Sequence, residues 1–269
     1  MHARDRQHRR AGSPSLHDPH HESAARPVTS LRPLTPRDVD WEGLPNARDL
    51  GGIPLEAGTT TAAGRLFRSG RPDGMTAAGW SELVAAGVRR VVDLRNERER
   101  ELSGAIPDAV EVVWTPIEDD EDLEFLAEWR AHLGSPRYYA TAVRRWPLLL
   151  AAALRAIAGS PADAGVLVHC LAGRDRTGLV VALLLQAAGA PLDAIVDDYA
   201  AAARGIRAHF ATLPSPPEPP LDDAAFESAL RENAATLREF LTTVDVPAIL
   251  TAAGAEPDLL ARAAARLRA

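Results

Sequence analysis

The chain has no lysine: all thirty of its basic residues are arginines. With alanine also abundant, that bias fits coding composition better than an adaptation. A single cysteine excludes an internal disulfide and every multi-cysteine metal site. It also leaves no resolving thiol, so an oxidised Cys170 would need a backbone nitrogen or an outside thiol to cap it. Apolar runs break off well short of the ~18 residues that a membrane span needs, so none is expected. The first residues carry Arg and His without the apolar core of a secretory leader, which makes a cytoplasmic location the expectation. Net charge is −7 and the pI about 5.6, so no global positive field points to nucleic acid or a membrane surface.

What is present suits one large domain. In 269 residues, 46% are hydrophobic, enough to bury a sizeable core. Residues 1–36 are rich in His, Arg, Pro and Ser, show almost no apolar periodicity, and are expected to form a disordered tail. His17, His20 and His21 in that tail offer metal-binding side chains, but the composition favours a solvated segment. Residues 37–269 make up the folded part, and no internal repeat is visible.

The most informative stretch is 166–185. It opens with an apolar run, Val166-Leu167-Val168, that reads as a buried strand, and it closes with an apolar helix from Gly178 onward. Between them lie Cys170, Arg176 six positions later, and Thr177. A strand, a tight turn and a helix N-terminus form an anion site, because unpaired N–H groups converge there and the helix dipole favours negative charge. The backbone of Leu171, Ala172, Gly173, Arg174 and Gly178 would cradle the anion, with Gly173 letting the chain turn closely around it. A cysteine attacks as its thiolate, the form that such a site favours. Arg176 presents a planar fork to two phosphate oxygens. Thr177 can donate to the sulfur and help it leave, and His169 orients the loop from behind.

The frame His169-Cys170-x-x-Gly173-x-x-Arg176-Thr177-Gly178 resembles the protein tyrosine phosphatase superfamily. In finer detail it is similar to the bacterial PtpB-like phosphatases. Those enzymes usually carry Lys where this chain has Arg174, a change that keeps the charge and alters the hydrogen-bond geometry. A second segment, Asn46-x-Arg48-Asp49-Leu50-Gly51-Gly52 followed by Arg68-Ser69-Gly70, resembles the N-terminal part of the same group. Here Arg48 and Asp49 read as a mutually satisfied pair supporting the core, ahead of a phosphate-contact role. The resemblance implies hydrolysis of phosphotyrosine, with phosphoserine, phosphothreonine and phosphoinositides as further substrates. The route is a cysteinyl-phosphate intermediate stabilised by Arg176 and the loop N–H groups, with no metal or cofactor. Asp175 takes the general-acid position, since a carboxyl near a phosphate dianion has a raised pKa. Its rivals are Asp119 or Asp120 in the acidic run 118–122, and then Asp93. From a different class, a catalytically weak module that recognises phosphorylated partners would use the same pocket but would not need Cys170. Sulfurtransferases lack this frame, and arsenate reductases need more cysteines.

For the fold, the pattern predicts a three-layer α/β domain with a central, mostly parallel sheet of four or five strands flanked by helices, as in phosphatases. Expected strands lie near 53–55 (paired as a hairpin with 65–68), at 88–94, 110–116 and 166–168. Expected helices cover 76–86, 123–133, 138–158 with a break at Pro147, 192–203, 224–244 and 258–267. The charged segment 97–101 reads as a solvated helical face and 204–222 as a loop. The resemblance to PtpB-like proteins implies that helices within 205–269 can form a lid over the site, although Phe226, Leu230, Leu237, Phe240 and Leu241 fit an ordinary core-facing stripe at least as well.

Overall fold

The structure, a computed structural model, describes residues 37–56, 58–100 and 106–268. The tail at 1–36, with its three histidines, lies outside the described residues. The framework is a sheet of β1 (Arg48–Asp49), β2 (Leu66–Ser69), β3 (Val88–Asp93), β4 (Glu111–Trp114) and β5 (Gly165–His169) in the order β1-β2-β5-β3-β4. β1 runs antiparallel to β2, and all other pairings are parallel. The central strand β5 is buried along its whole length, which is why its sequence reads as an unbroken apolar run.

Alternation along the strands divides the core into two. Val166 and Val168 of β5 join Val92 of β3 in one cluster, whereas Leu167 meets Phe67 and Val91 in the other. The smaller cluster is closed by Trp41 and by Trp80 and Leu83 of α1 (Ala77–Ala85). The larger one is covered by α2 (Leu123–Trp129), α3 (Tyr139–Arg145), α4 (Pro147–Ala158), α5 (Arg176–Ala188), α6 (Leu192–Phe210), α7 (Asp223–Thr243), α8 (Val246–Ala252) and α9 (Leu259–Ala264). The result is a three-layer α/β arrangement, as the sequence predicts.

Local chemistry sets the helix limits. Thr76 caps α1, its Oγ1 accepting from the Gly79 N–H at 3.1 Å, and Gly87 ends it with φ +86°. Asp122, Asp222 and Asp245 cap α2, α7 and α8 in the same way. Trp146, which precedes Pro147, leaves helical geometry (φ −127°, ψ 50°) and so separates α3 from α4. α5 is buried nearly all round, as its even apolar coat requires.

Three expectations need correction. The antiparallel partner of β2 is Arg48–Asp49, not 53–55, where only Pro54 makes an isolated bridge, to Thr60. Backbone bonds still tie this stretch to 59–61, with the Gly52 N–H donating to the Thr61 carbonyl at 2.6 Å and the Thr61 N–H to the Ile53 carbonyl at 2.9 Å. The Thr61 hydroxyl adds to them, donating to the Leu50 carbonyl at 2.5 Å and accepting from the Ile53 N–H at 2.8 Å. α6 continues to Phe210, through residues read as loop, because Ala202, Ala203 and Ile206 extend the buried stripe of Tyr199. α8 was not anticipated. On α7, Leu230, Leu237, Phe240 and Leu241 point into the core, while α9 packs on α4 and α5.

Candidate active site

β5 delivers the chain to His169, and α5 begins at Arg176; the loop between them is held open by its carbonyls. The Leu171 carbonyl accepts from the Arg71 N–H (3.0 Å), that of Ala172 from Asn46 Nδ2 (3.0 Å), and that of Gly173 from Arg68 Nη2 (2.7 Å). In a planar trans peptide the carbonyl and the following N–H point in opposite directions. Turning these three carbonyls outward therefore turns the N–H groups of Ala172, Gly173 and Arg174 inward, over Cys170. Gly173 has φ +68°, and a Cβ there would lie 2.3 Å from the Ser69 carbonyl oxygen, so only glycine fits. Gly178 is less tightly confined: a Cβ would lie 3.0 Å from the Tyr139 hydroxyl, a side-chain atom.

Cys170 is 2% exposed and lines a cleft of about 280 Å³. Behind it, His169 places Nδ1 3.2 Å from the Cys170 carbonyl oxygen and Nε2 3.7 Å from Asp93. Burial pushes the His169 pKa down, which favours the neutral ring, and because a carbonyl oxygen can only accept, Nδ1 is the nitrogen that donates to it. Burial opposes the charge of Asp93, but two hydrogen bonds of 3.0 Å from the Arg95 guanidinium outweigh it and hold its carboxyl below the usual range. With Arg100 also 3.4 Å away, Asp93 is a structural counter-ion beneath the loop rather than an acid facing the cleft. The Thr177 hydroxyl is fully buried and has no hydrogen-bond partner among the described residues, which leaves its proton free for the sulfur.

Arg176 lies between two carboxylates. Its Nη2 donates to Glu99 Oε1 at 2.6 Å, its Nη1 donates to the other oxygen of Glu99, and its Nε is 3.6 Å from Glu118. Segment 97–101, read as a solvated face, thus supplies a partner for the loop arginine. A guanidinium at the start of an apolar helix needs a nearby counter-charge. The ends of β3 and β4 are where an open α/β sheet places ligand-facing loops. Those two facts are the signal by which Glu99 and Glu118 could have been found. The carboxyls then diverge. Burial opposes the charge of Glu99, but its Arg176 hydrogen bonds dominate and lower its pKa, whereas burial dominates at Glu118 and raises it.

Asp175 is also buried, and burial raises its pKa against the opposing pull of Arg174, whose Nε donates to it at 2.9 Å. Tyr199 donates to its other oxygen at 3.3 Å, and Tyr139 holds its backbone carbonyl at 2.7 Å. Two carboxyls whose pKa burial raises, Asp175 and Glu118, therefore line the cleft. Asp119 and Asp120 line it as well; Asp119 accepts from the Glu121 N–H, and Asp120 is 3.6 Å from Arg98. Arg174 completes the rim, paired bidentately with Glu218 at 2.9 and 2.7 Å.

Arg48 and Asp49 are not each other's partners. Asp49 accepts from the Gly51 and Gly64 N–H groups at 2.8 and 2.9 Å, and Arg48 turns to Asp38 at 3.3 Å. Adjacent strand residues point to opposite faces, which keeps the two apart. Both support the fold near β1 rather than touching the cleft. Asn46, given no role in the sequence reading, is the residue of that motif that reaches the loop; it does so from a left-handed backbone (φ 56°) that asparagine tolerates.

A family model described as the tyrosine phosphatase family matches residues 39–247. The chain belongs to the tyrosine phosphatase family. It is 33% identical over 186 residues to the triple specificity protein phosphatase PtpB of Mycobacterium tuberculosis, covering 58% of this chain and 66% of that protein. A second relative, from Cupriavidus necator, whose name also carries the words tyrosine-protein phosphatase, is 30% identical over 171 residues, covering 60% and 62%. The matches thus span just under two thirds of each relative's length. Among solved structures, TpbA of P. aeruginosa aligns with a TM-score of 0.36 at 20% identity, over 80% of this chain and 94% of that one. Within this family member no helix among the described residues is long and apolar enough to cross a membrane. No group of three His, Cys, Asp or Glu side chains among them is arranged to hold a metal ion.

Proposed function

We propose that this tyrosine phosphatase family member hydrolyses phosphate monoesters, phosphotyrosine first, with phosphoserine, phosphothreonine and phosphoinositides as further substrates. The observation that carries the reading is the outward anchoring of three successive loop carbonyls, which aims a ring of N–H groups at the space above a cleft-lining cysteine. Such preorganised donors favour the charge of a transferring phosphoryl group. The Cys170 thiolate attacks phosphorus, an S–P bond forms, and the ester O–P bond breaks. The departing oxygen takes the proton of Asp175, which burial keeps protonated to higher pH. Water then attacks the cysteinyl-phosphate, releasing inorganic phosphate, while the Thr177 hydroxyl donates to the departing sulfur.

The test is Cys170→Ser assayed with p-nitrophenyl phosphate beside a panel of the three phosphoamino acids and soluble phosphoinositides. Turnover is expected to vanish while phosphate-ester binding persists, since the loop N–H groups and Arg176 remain. Retained turnover in the variant overturns the covalent route. Binding without turnover by the unmodified protein would instead identify a phosphate-recognition module.

A further inference from the structure

All three guanidinium nitrogens of Arg174 are engaged: Nε with Asp175 at 2.9 Å, Nη1 and Nη2 with the two oxygens of Glu218 at 2.9 and 2.7 Å. The guanidinium is built into place. Its side chain is 12% exposed, and a Cβ on Gly134 would lie 2.9 Å from its Nη2, so a glycine makes room for it. Glu218 comes from outside the phosphate loop. It sits between Pro217 and Pro219 in the segment joining α6 to α7, and its side chain lines the same cleft as Cys170. Flanking prolines restrict the backbone on both sides, so the carboxylate is presented by a stiff segment. Arg207 ties the far end of that segment, donating to the Leu221 carbonyl at 2.9 Å and to Asp223 at 2.8 Å.

A bidentate guanidinium fork accepts a carboxylate or a phosphate with the same geometry. We infer that the place taken by the Glu218 carboxylate is a second anion subsite beside the phosphate pocket, which a second phosphate on the substrate occupies by displacing Glu218. The inference rests on the phosphatase reading of the cleft. Glu218 then works as a selectivity residue: it neutralises Arg174 for singly phosphorylated substrates and sets a threshold that only doubly phosphorylated ones gain from crossing. Of the substrates proposed above, the ligand class assigned to this subsite is a peptide carrying a second phosphate near the scissile one, since a net charge of −7 gives no general attraction to an anionic membrane surface.

The experiment compares singly and doubly phosphorylated phosphotyrosine peptides on the unmodified protein and on Glu218→Gln. Affinities of the same peptides are measured in the Cys170→Ser background, where no turnover is needed. Removing the competing carboxylate is expected to raise the preference for the doubly phosphorylated peptide about tenfold, the low end for a charge-assisted hydrogen bond. Adding Arg174→Gln should erase that gain. An unchanged preference with p-nitrophenyl phosphate turnover intact overturns the subsite and leaves the phosphatase reading standing. Loss of turnover in the unmodified protein defeats the phosphatase reading, and the affinities still decide the subsite. A gain seen with a soluble inositol bisphosphate headgroup but not with the peptide overturns the peptide assignment.

Discussion

Replacing Asp198 with Asn removes the counter-charge of a guanidinium that sits behind the phosphate loop. Arg68 and Asp198 pair with side chains only 1% and 5% exposed, and Arg68 Nη2 also holds the Gly173 carbonyl at 2.7 Å. Arg68 Nε has no partner, so the guanidinium has little left once the carboxylate is gone. Deleting one member of a buried pair costs about 3–5 kcal/mol, because the other charge stays buried and uncompensated. In a domain of this size each kcal/mol lowers Tm by about 2–4 °C, so the expected fall is about 6–20 °C in a calorimetric or fluorescence melt. The double replacement Arg68→Met with Asp198→Leu removes both charges and should recover most of that stability. It should not recover activity, since the Gly173 carbonyl has then lost its donor and the next N–H is no longer held inward. A single-variant Tm within about 2 °C of the parent would refute the uncompensated-charge reasoning. A double variant that turns over p-nitrophenyl phosphate at the parental rate would refute the link from Arg68 to the loop.

Two further outcomes separate the carboxyls of the cleft. Asp175→Asn should slow phosphotyrosine or an alkyl phosphate far more than p-nitrophenyl phosphate, and should erase the basic limb of the pH–rate profile; equal slowing of good and poor leaving groups would reduce Asp175 to shaping the loop. At Glu118, burial raises the folded pKa above the ordinary 4.5, so the native state favours the protonated form. The associated stability is fully present below that ordinary value and is lost as pH rises through the folded pKa. Permanently neutral Glu118→Gln should therefore gain Tm relative to the parent as pH rises from about 4.5; parallel Tm–pH curves would show that Glu118 ionises normally.

The sequence and the structure agree best where the information is contiguous. The run from His169 to Gly178 is read correctly as strand, loop and helix because its apolar flanks, its glycines and its one cysteine all lie within a few positions of one another. Partners that arrive from a distance leave no such local trace. Glu99 stands in a charged run whose composition is the same whether it faces water or a buried arginine, and Glu218 sits among prolines that signal only a loop. The end of α6 falls inside 204–222, a span whose prolines and charges read as loop, although the buried stripe continues to Ile206. Arg48 and Asp49 were misjudged because neighbours in sequence are not neighbours in space once they enter a strand.

The carbonyls that keep the phosphate loop open are held by residues far from it in the chain: Asn46 is 126 positions from Ala172, and Arg68 is 105 from Gly173. The central sheet is closed across a comparable separation, Leu66 lying beside Val166. The loop is therefore shaped only in a molecule whose β1 and β2 already lie beside β5, and Cys170 gains its inward N–H groups no earlier than that. A bound oxyanion needs that finished loop, so it acts as a clasp on the completed molecule and favours it over every partly assembled form by mass action.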